Sequence, residues 1–253
     1  MEYKFTSDQE NYALYASGSV LYAVPGHPAF PIRLANEIFR RCMAYRKSWG
    51  VANRCVLFDP CCGSAYHLTT LAYFNWTDIA QIHASDIDAD ALSIAARNLS
   101  LLNLNGLERR IQELADMAQK FGKLSHATSL THAGVLKQEL ASLVEDHNIQ
   151  TRLFRADATD SQAVQAHWDG RAVDVVMTDV PYGRQSSWSF DTPPLETVDP
   201  VYALLDSLLP ILQPDSVVAV TSAKKDKVRH ERYKRLERFN VGKRQVALLR
   251  PLT

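Results

Sequence analysis

The stretch VLFDPCCGS, at residues 56–64, decides how the chain is expected to fold. Its apolar residues are typical of the end of a buried strand, and DPCCGS forms a turn before a helix predicted over residues 66–74. In an open α/β sheet, ligands bind where strands end and the following turns begin. The stretch therefore predicts one strand–turn–helix unit of such a sheet, with a ligand site at its turn.

The same alternation of strand and helix continues along the chain. Further strands are predicted over residues 81–85, 151–155, 172–178 and 216–221, followed by two more over 235–241 and 245–250. Residues 172–178 (AVDVVMT) are apolar at nearly every position, as expected for a parallel strand covered on both faces. The pattern predicts a Rossmann-like, doubly wound α/β fold with a mostly parallel sheet and an antiparallel C-terminal edge strand.

Two segments fall outside this alternation. Residues 1–50 are interpreted as an N-terminal extension to the α/β domain at 51–253, with a strand over 19–24 and a helix that Pro31 opens. A short return from the helix to the next strand of the sheet would suffice at this point, but residues 107–150 intervene and have helical patterning. The sequence therefore predicts a helical insertion. Asp88 is expected to cap the helix before this insertion, and Gly106 to end it.

Composition narrows the class of protein. The chain has 253 residues, 46% hydrophobic and 22% charged, which is typical of an ordinary globular domain. Its four cysteines form no CxxC pair, which argues against a disulfide framework or a zinc knuckle, and no metal site is predicted. We find no signal peptide pattern and no apolar run of about 20 residues, so the sequence predicts a cytoplasmic protein without membrane contact. We expect a monomer.

Acidic residues recur at the predicted strand ends and suggest a cofactor site. Asp59, Cys61 and Gly63 share the first turn, where a residue without a Cβ lets a ligand approach closely. Asp86, after the second strand, is placed to accept hydrogen bonds from ribose hydroxyls. Asp157, after the third, could accept from an adenine amino group, although alone it would be an ordinary loop aspartate. The turn has only one glycine, whereas the pyrophosphate of a dinucleotide binds at a glycine-rich turn. The sequence therefore argues against a dinucleotide as the cofactor.

The most informative motif is DVPYG at residues 179–183, directly after the apolar strand. Pro181 fixes φ and makes the bend rigid. Asp179 could accept a hydrogen bond or a proton from a planar nitrogen, which is general-base chemistry. Tyr182 could stack on a planar base. The alternative interpretation is a tight turn with a tyrosine in the core.

Basic residues are concentrated near the C-terminus although the formal net charge is zero. Residues 224–244 hold ten Lys or Arg and three acids, a local excess of seven positive charges. The segment is either a solvated face or a phosphate-binding surface. Its candidate RNA-binding residues are Lys224, Lys225, Lys227, Arg229 and Arg232. A second candidate group is Arg40, Arg41, Arg46 and Lys47.

In order, DPCCGS, SDID, ADA and DVPYG resemble the motifs of class I S-adenosylmethionine-dependent methyltransferases. DVPYG is similar to the (Asn/Asp)-Pro-Pro-Tyr motif of nitrogen-methylating enzymes, and with DPCCGS it is nearest to RNA guanine methyltransferases. Two positions depart from the pattern, since Val180 replaces a proline and Ala65 stands where a further glycine is common. The whole chain, including SGSVLYAVPGHPAFPIRLANEIF at residues 17–39, resembles the family of avilamycin-resistance rRNA methyltransferases.

This resemblance implies that S-adenosylmethionine is the cofactor and that one guanine of 23S rRNA is methylated, with N1 favoured over N2. It also implies resistance to the orthosomycin antibiotic avilamycin and a partner that is 23S rRNA or the large ribosomal subunit. A protein glutamine-amide methyltransferase and a non-catalytic RNA-binding module stay open as alternatives. A nicotinamide oxidoreductase is disfavoured because the turn lacks further glycines.

Overall fold

The structure, a computed structural model, describes residues 2–7, 12–24, 29–168, 170–181, 188–191 and 198–252. Seven strands form one sheet in the order β3-β2-β1-β4-β5-β7-β6. The strands are β1 Cys55–Asp59, β2 Ile79–Asp86, β3 Gln150–Arg155, β4 Val173–Asp179, β5 Leu212–Ala223, β6 Tyr233–Val241 and β7 Arg244–Pro251. The helices are α1 Ile32–Ser48, α2 Tyr66–Phe74, α3 Ala89–Ser100, α4 Leu104–Phe121, α5 Leu124–Asp146, α6 Ser161–Gln165 and α7 Pro200–Leu208. Short 3-10 helices occupy Ala13–Tyr15, Trp76–Asp78 and Leu209–Ile211.

The predicted doubly wound, mostly parallel sheet is confirmed. Strands β1 to β5 pair in parallel, and β4 has apolar residues on both faces: Val175 packs into one core cluster and Val176 into the other. Helices α1 and α2 contribute to the first cluster and α7 to the second. Burial on both faces explains why the β4 sequence is a nearly continuous apolar run.

The C-terminal hairpin supplies the antiparallel part of the sheet. Strand β7 pairs antiparallel with both β5 and β6, so it lies between them and β6 is the outermost strand. The connection at residues 224–232 runs from the end of β5 to the opposite end of the sheet, where Tyr233 pairs with Pro251. Val228 and His230 are buried along this connection. The strand that runs against the others is therefore second from the edge.

The strand predicted over residues 19–24 is wrong. Side chains, not a neighbouring strand, satisfy this backbone: the Arg110 guanidinium donates to the carbonyls of Ser19 and Val20, both at 2.8 Å. The Asn98 side chain accepts from the Tyr22 N–H at 2.8 Å and donates to its carbonyl at 3.0 Å. Val20 is fully buried. The segment thus packs into the core of the sheet domain in an irregular conformation.

Gly106 does not end the preceding helix as predicted. Helix α3 ends at Ser100, and Gly106 lies in the first turn of α4, where its N–H donates to the Asn103 side chain at 2.8 Å. A Cβ at Gly106 would lie 1.9 Å from the Ser100 carbonyl oxygen. The glycine is therefore required by the close approach of two helices, not by a left-handed turn.

Helices α4 and α5 occupy most of the segment at about residues 107–150 that the sequence predicts to be a helical insertion. Leu107 and Leu114 of α4 are buried, as are Leu136 and Leu140 of α5. Gly122 ends α4 in the left-handed conformation, with φ of 61°. None of the helices in the described ranges is long and apolar enough to cross a membrane.

A buried carboxylate anchors the first residues of the chain. Glu37 of α1 is fully buried and accepts hydrogen bonds from the backbone N–H groups of Lys4, Phe5 and Thr6 at 2.8–3.0 Å. Burial acts to raise the pKa of Glu37, but these N–H groups and Arg41 outweigh it, so its pKa lies below the ordinary value. The carboxylate is therefore held ionised inside the fold.

The contact at Gly106 gives a stability prediction. We expect Gly106→Ala to lower the free energy of unfolding by about 1–3 kcal/mol, because the methyl group would force α4 away from α3. Gly134→Ala is the matched control, because Gly134 lies in α5 and, apart from its chain neighbours and its own helix backbone, no described atom lies within 4 Å of its would-be Cβ. It should change stability by less than about 1 kcal/mol, in the stabilising direction. Urea unfolding of both variants measures the difference, and equal stabilities would contradict the close-packing role.

Candidate active site

A cleft of about 490 Å³ lies at the carboxyl ends of the parallel strands. Its walls come from the turns after β1, β2, β3 and β4, from Arg244 at the start of β7, and from the N-terminal residues Val24 and Phe30. This volume is in the range of small-molecule sites in proteins. The position is the ligand site that the sheet topology predicts.

The turn after β1 is open toward the cleft at Gly63. Gly63 has φ of 52°, and no described atom lies within 4 Å of the position that a Cβ would take. Its N–H donates to Asp86 Oδ2 at 2.8 Å, and the Cys62 N–H donates to the Ser85 carbonyl at 2.9 Å. Ala65 is also left-handed, with φ of 53°. A left-handed conformation favours glycine and costs a residue with a Cβ more. Ala65, which stands where the motif commonly has a further glycine, therefore keeps the shape of the turn at a steric cost.

Asp86 reaches the cleft from the end of β2. Its Oδ1 accepts from the Asp88 N–H at 3.0 Å, while its Oδ2 is held by Gly63. Burial raises the pKa of Asp86; the two N–H groups oppose this rise and the charge of Asp59 adds to it. The Asp88 side chain accepts from the N–H groups of Asp90 and Ala91, which confirms it as the cap of α3.

Asp59 does not line the cleft, contrary to the expectation that it contacts the cofactor. It is fully buried. Its Oδ1 accepts from the Cys61 N–H at 3.0 Å, and its Oδ2 lies 3.1 Å from His67 Nε2. Asp59 therefore supports the turn from beneath. Cys61 does line the cleft, and burial, with the charges of Asp59 and Asp86, raises the pKa of its thiol well above the usual range.

His67 is the group that sequence reasoning missed. It lies in the first turn of α2, 6% exposed, and it lines the cleft that Asp59 does not reach. Burial acts to lower the pKa of His67, but Asp59, with smaller contributions from Asp179 and the Met177 carbonyl, raises it above the ordinary value. The signal for His67 in the sequence is its place at the start of the helix predicted over residues 66–74, eight residues after the strand-end aspartate. No three potential metal ligands converge within the described ranges.

Asp157 lines the cleft and also holds one of its walls. Its Oδ1 accepts from the N–H and hydroxyl of Thr159, at 2.9 and 2.7 Å, and its Oδ2 accepts from the Asp191 N–H at 2.9 Å. The Asp191 carboxylate pairs with both terminal nitrogens of Arg155, at 2.8 and 2.6 Å. These contacts fix the short segment at residues 188–191, whose Trp188 lines the cleft.

The DVPYG motif reaches the same cleft from the end of β4. Asp179, Val180 and Pro181 all line it. Val180 is buried, and its N–H donates to the Thr221 carbonyl at 3.0 Å, which fixes the bend after β4 against β5. Tyr182 lies outside the described residues. The cleft thus brings Asp179 together with Gly63 and Asp86, from three different strand ends.

The second group of basic residues is mostly structural. Arg41 is 3% exposed and pairs with Glu37 and Glu237, so the structure argues against its predicted RNA contact. Arg46 is 1% exposed and pairs with Asp174. The Arg40 guanidinium donates to the Phe5 carbonyl at 3.0 Å. Sequence alone could not separate these arginines from surface ones, because the acids Glu237 and Asp174 lie 196 and 128 residues away from the arginines that they pair with.

The predicted C-terminal RNA-binding residues are all exposed, but they lie at different ends of the sheet. Lys224 and Lys225 directly follow β5 at the cleft end, and the Lys224 N–H donates to the Lys243 carbonyl at 3.4 Å. Arg232 is at the opposite end, where its carbonyl accepts from the Leu252 N–H at 2.8 Å. Seven register steps of β7 separate these ends, roughly 23 Å. The remaining two, Lys227 and Arg229, lie along the connection.

The fold and the site define a class I methyltransferase: an open, mostly parallel sheet with its cleft at the strand ends and an Asp-x-Pro turn after β4. TrmN from Thermus thermophilus shares this fold, with a TM-score of 0.52 and 15% identity over 89% of this chain and 50% of that chain. The solved structure of the rRNA methyltransferase AviRa from Streptomyces viridochromogenes is much more similar. Its TM-score is 0.86, at 36% identity over 99% of this chain and 96% of that one.

The chain belongs to the AviRa family of rRNA methyltransferases. The family described as rRNA methyltransferase AviRa matches residues 1–244. A curated relative from Streptomyces viridochromogenes, named 23S rRNA (guanine(2535)-N(1))-methyltransferase, is 39% identical over 235 residues, 93% of this chain and 90% of the relative. The membership confirms the predicted rRNA methyltransferase and decides against a non-catalytic binding module.

The His67–Asp59 contact predicts a pH dependence of stability. Because the pKa of His67 is raised by folding, the contact stabilises fully below the ordinary histidine value of about 6.5, and this stabilisation is lost as pH rises through the raised value. The difference in free energy of unfolding between wild type and His67→Gln should therefore be largest near pH 6 and shrink toward pH 9. Asp59→Asn should remove the same dependence. Denaturant titrations across this range test it, and a constant difference would contradict the prediction.

Proposed function

We propose that this protein transfers a methyl group from S-adenosylmethionine to N1 of one guanine in 23S rRNA, the reaction for which its Streptomyces viridochromogenes relative is named. The observation that carries the proposal is the position of Asp179 and Pro181, at the rim of the same cleft as Gly63 and Asp86. A proton acceptor and the turn that is proposed to bind the cofactor thus line the same cleft. The family membership selects rRNA over the glutamine amide of a protein as the substrate.

The residues of the cleft fit S-adenosylmethionine. When bound, this cofactor supplies an electrophilic methyl group on a positively charged sulfur. Gly63 leaves open space where a side chain would stand, so a ligand can approach the backbone there. Asp86, at the end of β2, is where this fold binds ribose hydroxyls. The carboxylates of Asp86, Asp157 and Asp179 give the lining an acidic character that complements a cation.

Asp179 is proposed as the general base. Guanine N1 carries a proton, so the N1–H bond must break as the N1–methyl bond forms. The Asp179 carboxylate takes this proton and becomes a neutral carboxylic acid. Pro181 holds the bend that aims the carboxylate, which saves the entropy of orienting it at the moment of reaction. Because the cleft is recessed, the guanine must leave its stack to enter, at least cost where it is already unpaired.

The biological role follows from the proposed substrate. Methylation of a single guanine in 23S rRNA would confer resistance to avilamycin, as the resemblance of the whole chain implies. The substrate would be 23S rRNA or the large ribosomal subunit, and we therefore expect the enzyme in the cytoplasm. Exposed Lys224 and Lys225, at the cleft end of the sheet, are the proposed contacts to RNA phosphates beside the target base.

Substitution of Asp179 tests the proposed base. We expect Asp179→Asn to lower the rate of methyl transfer to 23S rRNA by about 100-fold or more, because an amide cannot accept the N1 proton. Binding of S-adenosylmethionine, measured by calorimetry, should persist, weakened only by the loss of one of the three carboxylates that line the cleft. The assay follows labelled methyl into 23S rRNA, with 16S rRNA and bulk protein in parallel.

Product analysis separates the candidate nitrogens. Nuclease digestion of the labelled RNA should give 1-methylguanosine from wild type.

A variant Asp179→Asn with near wild-type activity would rule out the base role, since orientation of a lone pair would then suffice. Label on N2, or on protein, would overturn the proposed reaction itself.

Charge reversal tests the proposed RNA surface. We expect the double variant Lys224→Glu/Lys225→Glu to weaken RNA binding and to lower the slope of log K against log[salt] by about 2, because two phosphate contacts are lost. Arg232→Glu is the control, because Arg232 is also exposed but lies about 23 Å away along β7. Its salt slope should match that of wild type. Filter binding at several salt concentrations makes the comparison, and equal losses in both variants would indicate a nonspecific charge effect.

A further inference from the structure

The segment at residues 188–191 follows β4 in the chain but is held at the end of β3. The Asp191 N–H donates to Asp157 Oδ2 at 2.9 Å, and its carboxylate pairs with both terminal nitrogens of Arg155 at 2.8 and 2.6 Å. In the sheet, Arg155 is the register partner of Asp86. Three strand spacings, roughly 14 Å, separate the ends of β4 and β3. The segment is therefore fixed on the far side of the cleft from the end of β4.

Trp188 brings an aromatic ring to this side of the cleft. It precedes Asp191 by three residues, a reach of at most about 11 Å. The indole lines the cleft and packs against the second core cluster, of which Ala158 also lines the cleft. The ring of Phe190, which is not part of the cleft wall, lies parallel to the indole, with 6.1 Å between their centroids. The indole is thus supported from outside the cleft.

Trp188 also has the most accessible of the large aromatic rings that the structure describes along the cleft. The other two are Phe30 and Tyr66, and each is only 7% exposed. Trp188 is partly exposed. Large aromatic side chains in a small-molecule site provide the apolar surface that a planar ligand covers. A ligand ring at this end of the cleft would therefore meet the indole.

The neighbours of Trp188 match the chemistry of a purine, which has apolar faces and polar edges. Asp157 Oδ2 accepts one hydrogen bond, from the Asp191 N–H, and a carboxylate oxygen can accept two. A second donor, such as an adenine amino group, can therefore be accepted there. Ile87 directly follows Asp86, lines the cleft and is partly exposed. This end of the cleft thus offers a carboxylate for an edge and apolar side chains for the faces.

We propose that Trp188 is a specificity-determining residue for the cofactor: its indole covers one face of the adenine ring of S-adenosylmethionine, while Asp157 meets the edge of that ring. The inference rests on the proposed cofactor. Adenine is favoured over the target guanine because the guanine must reach Asp179 at the end of β4, roughly three strand spacings away. The indole takes no part in the transfer of the methyl group and acts through the affinity for the cofactor.

Binding of S-adenosylhomocysteine, the product of the cofactor, tests the proposal without any reaction. We expect Trp188→Leu, which keeps apolar packing but loses the ring, to raise the Kd measured by calorimetry about tenfold. Trp188→Phe keeps a ring and should raise it no more than about threefold. Trp49→Leu is the matched control, because Trp49 is also partly exposed but lies at the end of α1, away from the cleft wall. An unchanged Kd in Trp188→Leu, or an equal rise in Trp49→Leu, would overturn the proposal.

Tryptophan fluorescence identifies the ring that the indole meets. Adenosine, which carries the adenine and ribose alone, should quench the fluorescence of wild type and of Trp49→Leu. Trp188→Phe should lose most of this quenching, because the indole that contacts the adenine is gone. Guanosine at the same concentrations should quench wild type much less. Quenching by guanosine but not by adenosine would assign the indole to the target base and contradict the proposal.

Kinetics separate a contact to the cofactor from a contact to RNA. In Trp188→Leu, KM for S-adenosylmethionine should rise about tenfold, while kcat and KM for 23S rRNA stay within about twofold of wild type. The opposite split, with a raised KM for RNA and an unchanged KM for the cofactor, would count against the adenine contact.

The failure of this proposal can be distinguished from that of the proposed function. If wild type does not bind S-adenosylhomocysteine, the proposed cofactor is wrong, and the role of Trp188 is lost with it. If wild type and Trp188→Leu bind it equally well, only the role of Trp188 is overturned.

Discussion

The geometry of the cleft depends on one hydrogen bond, from the Gly63 N–H to Asp86 Oδ2 at 2.8 Å. It joins the turn after β1 to the end of β2, and it orients the carboxylate that faces the cleft. The turn can meet Asp86 only because Gly63 adopts a left-handed conformation, which costs glycine little. Asp59 completes the arrangement from below by accepting from the Cys61 N–H. Backbone N–H groups thus hold two strand-end carboxylates in place, one facing the cleft and one beneath it.

The helical insertion supports the site from a distance. Arg110 of α4 holds the carbonyls of Ser19 and Val20, and Asn98 of α3 holds both Tyr22 and the Ser64 carbonyl in the turn after β1. Through these contacts the N-terminal segment is fixed against the sheet domain, and its residues Val24 and Phe30 form part of the cleft wall. The segment therefore belongs to the site although it precedes the first strand by some thirty residues.

The position of each basic residue in the fold, more than the number of basic residues, decides whether it stabilises the fold or is exposed on the surface. Arg41 and Arg46 are buried and paired with acids on distant strands, so they stabilise the fold. Lys224 and Arg232 belong to one basic run, yet the crossing connection between β5 and β6 places them at opposite ends of the sheet. A run of charges in sequence is one surface only when the chain keeps it on one side of the fold.

The sequence by itself determined the order along the chain of the seven strands that form the sheet, the helices in the segment at about residues 107–150, the cap at Asp88 and the carboxylates at the strand ends. These depend on local signals: apolar periodicity, N-cap chemistry and turn residues. Only the tertiary structure decided that residues 19–24 form no strand, that Gly106 lies inside α4, and that His67 faces the cleft while Asp59 does not. The side chains that bind the backbone of Ser19, Val20 and Tyr22 lie 76 to 91 residues away. Gly106 meets the end of another helix, and the burial of Asp59 is set by packing around the sheet. No pattern within a short stretch of sequence carries that information.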